Sequence, residues 1–92
     1  MEKTIENGLI RIARAAGGLA VKFVSPGTAG MPDRLVLLPG GRIIFVELKE
    51  PGKKLRQLQQ YRKKQLEALG FKSLIIDSKE KLEALRHEIH SS

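Results

Sequence analysis

Two carboxylates and one lysine frame the chemistry open to this chain. They are Asp33, preceded by Pro32, and the pair Glu47 and Lys49, which closes the run Arg42-Ile43-Ile44-Phe45-Val46-Glu47-Leu48-Lys49. In a strand, side chains alternate faces, so Glu47 and Lys49 share one surface while Leu48 points into the opposite layer. Gly40-Gly41 marks a hairpin turn, and an antiparallel return sets the head of the first strand opposite the end of the second. Asp33 then lies beside Glu47. Two carboxylates can hold a hard divalent cation such as Mg2+, which prefers oxygen ligands and takes part of its shell from water and substrate phosphate. A neighbouring ammonium can steady or help deprotonate a water on that cation and can offset charge on a pentavalent phosphoryl transition state. For an isolated Glu-x-Lys the plainer reading is an exposed ion pair at a strand end. Only the surroundings separate the two.

Those surroundings must position the trio. Ile5, Leu9, Ile12 and Ala16 recur at helical spacing from about Glu2 to Ala16, and Gly17-Gly18 ends that helix. Glu6 falls at the margin of its apolar stripe, where it is either a solvated first-turn carboxylate or a group directed at the site. Leu19 to Val24 reads as a strand, and Ser25 to Met31 as a loop rich in turn formers that lets a bulky group approach its backbone. Arg34 to Leu38 and Arg42 to Lys49 are the hairpin strands, and the second is apolar on both faces, which marks it as central in its sheet. A helix follows from about Leu55 to Leu69, with Leu55, Leu58, Leu66 and Leu69 expected to face the core and Tyr61 or Arg62 at the intervening turn. Gly70 stops it, Lys72 to Ile76 forms a further strand, and Asp77 or Ser78 caps a last helix carrying Leu82, Leu85 and Ile89. His87 and His90 stand three apart without a third ligand nearby, so they are assigned no role.

Composition sets the outer limits. A chain of 92 residues suffices for one modest core, and we expect a single domain over 1–92. The net charge of +7 and pI near 10.1 favour a polyanionic partner. From Lys49 to Lys64 there are seven basic residues and one acid, so the excess is local. Lys53, Lys54, Arg56, Lys63 and Lys64 in that segment are candidate contacts to a phosphate backbone, although such a face is often merely solvated. The absence of cysteine excludes disulfides and thiolate metal sites. No apolar run approaches the length that spans a bilayer, and no signal-like segment opens the chain. We therefore expect a soluble, cytoplasmic protein with no membrane partner. Aromatics make up 4% of the chain, too few for the stacking platforms that single-strand binders use.

Pro32-Asp33, followed after a hairpin by Glu47-Leu48-Lys49, resembles the PD-(D/E)xK nuclease superfamily. More narrowly, Lys22-Phe23-Val24-Ser25-Pro26-Gly27, Gly30-Met31-Pro32-Asp33-Arg34, Glu47-Leu48-Lys49 and Gln59 resemble the VRR-NUC (virus-type replication-repair nuclease) domain, in the family's order, from Glu6 to about Asp77. The resemblance implies an α/β, restriction-endonuclease-like minimal fold with a mixed β-sheet flanked by helices in the order α-β-β-β-α-β-α. It implies Mg2+ or Mn2+ held by Asp33, Glu47 and the Leu48 main-chain carbonyl, with Glu6 approaching the metal, directly or through water. Lys49 would orient or activate water, and Gln59 would support it as a catalytic residue, although Gln57 and Gln60 leave that register open. Leu55-Arg56-Gln57-Leu58-Gln59 keeps the leucine and glutamine of the family's Leu-Ser-Pro-x-Gln but lacks Ser-Pro, which leaves the helix cap open.

The resemblance also makes Lys22, Ser25 and Arg34 candidate substrate contacts. The implied activity is a structure-selective DNA endonuclease, acting as a homodimer on branched or junction DNA like a Holliday-junction resolvase of a phage or prophage. The alternatives are a nicking or flap-type nuclease module and a DNA-binding module that does not cut.

Overall fold

The computed structural model describes residues 2–91. Helix α1 (Glu2–Ala15) precedes strands β1 (Leu19–Lys22), β2 (Arg34–Leu38) and β3 (Arg42–Leu48); helix α2 (Gln57–Ala68), strand β4 (Lys72–Ile76) and helix α3 (Lys79–His90) follow. The sheet order is β1-β2-β3-β4, with both hairpin pairings antiparallel and β3 parallel to β4, so the sheet is mixed. This is the expected α-β-β-β-α-β-α order.

The β2–β3 turn runs through Pro39–Gly41, where Gly40 and Gly41 both adopt positive φ. Side chains with a Cβ resist that conformation, and so the Gly-Gly pair fixes the register. Arg34 consequently pairs with Val46, and Leu38 with Arg42.

One face of the sheet carries Val36, Leu38, Ile44, Val46, Leu48 and Ile76, all buried. Ile5, Leu9, Ile12 and Ala13 of α1 and Leu82, Leu85 and Ile89 of α3 cover it, and together they form one continuous core. Each fully buried Leu or Ile side chain contributes about 2 kcal/mol of hydrophobic stabilisation. Ser78 caps α3, its hydroxyl accepting from the Lys81 N–H at 3.2 Å.

The opposite face is covered by α2 alone, which lies against β4. Here the structure corrects the leucine stripe expected along this helix. Leu66 is its one buried residue, whereas Leu58 is 45% and Leu69 68% exposed, and Tyr61 is exposed too. A helix resting on an edge strand has a single narrow line of contact, so three of its periodic apolar residues stay largely exposed. Three aromatic rings partly close the gap: Phe45 lies edge-on to Phe23 at 6.2 Å and to Phe71 at 5.4 Å. Element boundaries also move inward. β1 stops at Lys22 rather than Val24, β3 at Leu48 rather than Lys49, and α2 begins at Gln57 rather than Leu55.

Candidate active site

The strand register carries the chemistry directly. With Arg34 opposite Val46, the next position out sets Asp33 across from Glu47 at the end of the hairpin. The Asp33 carbonyl accepts the Phe23 N–H at 2.9 Å, so β1 holds its main chain. Its side chain is held as well, because Oδ1 accepts the Leu48 N–H at 3.1 Å. Glu47 comes from an interior strand and retains 12% exposure, against 39% for Asp33. Lys49 Nζ stands 3.9 Å from Glu47 Oε2, and Gln59 Nε2 donates to the same oxygen at 3.1 Å. Gln59 Oε1 in turn accepts the Arg56 N–H at 2.9 Å. That bond supplies the α2 cap that the missing Ser-Pro left open, and it selects Gln59 over Gln57 and Gln60 as the residue touching the site.

Burial pushes the Glu47 carboxyl above its ordinary value, and the negative charge of Asp33 pushes it further. The Lys49 ammonium, the Asp33 backbone hydrogen bond and the Gln59 amide oppose the rise without cancelling it. Two like charges therefore meet at one point, where only hard oxygen donors are offered. That donor set suits Mg2+ or Mn2+. Among the described residues no third carboxylate or histidine joins the pair to complete a cage. Such a cation would depend on water and substrate oxygens for the rest of its shell.

Glu6 reaches this region but is already engaged. Its Oε2 lies 2.7 Å from Arg34 Nη2, while Arg34 Nη1 contacts Asp33 Oδ2 at 3.5 Å and donates to the Asp33 carbonyl at 3.1 Å. Arg34, expected among the substrate contacts, is turned inward with 16% of its side chain exposed. No local pattern signals this arrangement, because Glu6 and Arg34 are 28 positions apart.

The remaining candidates surround the site at greater distance. Ser25 opens the loop, its carbonyl accepting the Thr28 N–H at 3.1 Å, and Lys22 ends β1 with an exposed side chain. Gly30 sits at positive φ against α2, where an added Cβ would come within 2.9 Å of the Leu58 carbonyl oxygen. Only glycine allows that approach. Arg62 Nε then ties α2 to the loop through the Ala29 carbonyl at 3.1 Å. Lys53, Lys54, Arg56 and Lys64 are exposed, whereas Lys63 pairs with Glu67 at 2.6 Å. A surface cavity of about 510 Å3 opens between α1 and α3 and includes none of these residues. Glu47 instead lines a small cleft with Gly30, Pro32, Gln59 and Lys63, and Asp33 stands at the more exposed side of the pair.

Known proteins share this chain's sequence and shape. It is 49% identical over 79 residues to the putative nuclease p44 of Acyrthosiphon pisum secondary endosymbiont phage 1, covering 86% of this chain and 85% of that protein. A solved structure described as a VRR_NUC domain is similar at a TM-score of 0.83 and 29% identity, covering 91% of each chain. No protein-family model matches the chain.

Proposed function

The chain belongs to the VRR-NUC family of nucleases, and from that premise we propose that it is a metal-dependent, structure-selective DNA endonuclease acting as a homodimeric Holliday-junction-type resolvase. The observation that carries the reading is the Asp33–Glu47 pair with Lys49 Nζ 3.9 Å from Glu47. Binding alone needs no such trio.

Asp33, Glu47 and the Leu48 carbonyl would hold Mg2+ or Mn2+. The bound cation would polarise the scissile phosphate and lower the pKa of a water. The chain's own groups do the rest. Lys49 orients the attacking water and offsets charge as the new phosphorus–oxygen bond forms and the bond to the leaving oxygen breaks. Gln59 fixes the Glu47 carboxylate against α2, so the glutamate keeps one orientation through the reaction. The exposed cations of the 49–64 segment bind backbone phosphates without reading sequence. A two-fold dimer would set two identical sites on two strands of a branched substrate.

Cleavage of labelled four-way junction, flap, splayed-arm and plain duplex DNA in Mg2+, Mn2+ or EDTA tests the proposal. Symmetric, metal-requiring junction cuts that vanish in Lys49→Ala are the expected result. Cutting of flaps or duplex in preference to junctions would keep the site and discard the resolvase. Binding of every substrate without cutting would instead assign a non-cutting module.

A further inference from the structure

The site's charged groups form an ordered series. Glu6 touches Arg34, Arg34 touches Asp33, Asp33 faces Glu47, and Glu47 meets Lys49. Signs alternate along it except at Asp33–Glu47, the one point where like charges adjoin. We propose that Arg34 and Glu6 are a charge-balanced positioning pair: Arg34 fixes the Asp33 carboxylate, and Glu6 neutralises Arg34 so that the acid pair keeps its affinity for a cation.

The geometry supports both halves. The two oxygens of Asp33 have separate partners: the Leu48 N–H on Oδ1 at 3.1 Å and Arg34 Nη1 near Oδ2 at 3.5 Å. Rotation of the carboxylate would break both contacts. Nη1 also reaches the Asp33 carbonyl while Nη2 binds Glu6. A planar guanidinium can serve these acceptors together, and an ammonium is a single point charge. Its cost is a permanent positive charge beside a candidate metal ligand, which lowers the attraction for any cation there. Glu6, 2.7 Å away, cancels that charge. On this account Glu6 acts on the acid pair through Arg34, and Arg34 does not touch DNA.

The inference rests on the metal reading above, so its first test uses no cleavage. Mn2+ is titrated calorimetrically into DNA-free protein at low ionic strength. Glu6→Gln keeps an oxygen for Arg34 and removes only charge, and it should weaken Mn2+ binding about five-fold. Adding Arg34→Met restores the charge balance, and the double variant should bind Mn2+ at least about three-fold more tightly than Glu6→Gln alone. A double variant no tighter than Glu6→Gln would overturn the proposal, because the charge on Arg34 would then not be what Glu6 offsets. Unchanged binding in Glu6→Gln would overturn it equally. Should the methionine variant fail to fold by circular dichroism, Glu6→Gln with Arg34→Gln takes its place.

A wild-type protein that binds no Mn2+ would sink the metal reading itself, which separates that failure from the other two. In EDTA, Arg34→Met should leave the salt dependence of DNA binding unchanged. A slope reduced by about one would mean that Arg34 contacts phosphate.

Discussion

The two faces of the sheet divide the work of the molecule. On one, α1 and α3 seal Val36, Ile44, Val46 and Ile76 into a continuous core. On the other, Leu19, Val21 and Ile43 stay exposed, α2 covers β4 alone, and Asp33 and Glu47 meet at the rim. The first face is closed by apolar contact, so shape and burial decide its stability. The second is left open, and hydrogen bonds and charge decide what happens there. Domain stability and local chemistry are thus carried by different side chains of the same strands, since neighbours along a strand point to opposite layers. Val46 and Leu48 face the core, and Glu47 between them faces the site.

If the division holds, substitutions at the rim should remove activity without unfolding the protein. Asp33→Asn and Lys49→Ala are expected to cut cleavage of a four-way junction by at least about a thousand-fold. Their affinity for the same DNA in EDTA should stay within a few-fold of wild type. Parallel cleavage and mobility-shift measurements check both halves. Joint loss of cleavage and binding would break the separation.

Stability should respond in the opposite sense. Leu9 is fully buried between α1 and the sheet, and Leu9→Ala should cost about 3 kcal/mol in denaturant unfolding through lost transfer energy and a residual cavity. Ile43→Ala on the open face removes a side chain already 38% exposed and should cost under about 1 kcal/mol. Equal losses would mean that the open face is covered in solution.

The covered face was the more legible in sequence, for the same physical reason. Ile5, Leu9 and Ile12, like Leu82, Leu85 and Ile89, repeat at a spacing that only a helix on a sheet satisfies, and all are buried. The Gly40-Gly41 turn and apolar β3 likewise specified the hairpin that opposes Asp33 and Glu47. Along α2 the same periodicity misled. Leu58 and Leu69 have the right spacing, but spacing does not reveal that the helix lies mainly against the edge strand β4. Arg34 was hidden for another reason: an arginine beside an acidic motif in a basic chain has the same local pattern whether it faces DNA or Glu6. Only the fold, by bringing α1 against β2, sets Arg34 Nη2 2.7 Å from Glu6.

Glu47 offers a subtler test, because it is a charged group held largely out of water although it lies on the open face. Its carboxyl titrates above its ordinary value of 4.5, first through burial and then through Asp33. The native state thus holds this proton more tightly than the unfolded chain does. Through this group, stability falls as pH rises from the unfolded value through the raised native one, and the loss is complete above that range. Glu47→Gln removes the charge and keeps an oxygen for Gln59. In EDTA at pH 7.5 it should raise Tm and flatten the pH dependence in the window just above 4.5. A lower Tm would mean that Lys49 and Gln59 more than offset the burial of the charge.

The smallest expected effect distinguishes cations within the basic segment. Lys54 lies in the loop between the site and α2, exposed and without an ion pair among the described residues. Lys63 lies one turn beyond Gln59 and must give up Glu67, 2.6 Å away, before it can bind phosphate. A lysine that merely exchanges one anion for another gains little, so the two should differ although their formal charge is the same. Removing one phosphate contact lowers the slope of log K against log salt by about 0.9 on duplex DNA. Lys54→Ala should show most of that change and Lys63→Ala well under half of it, read from binding isotherms across salt concentrations in EDTA. Equal slopes would mean that the Lys63–Glu67 pair opens on binding, and α2 would then contribute its whole basic face to DNA.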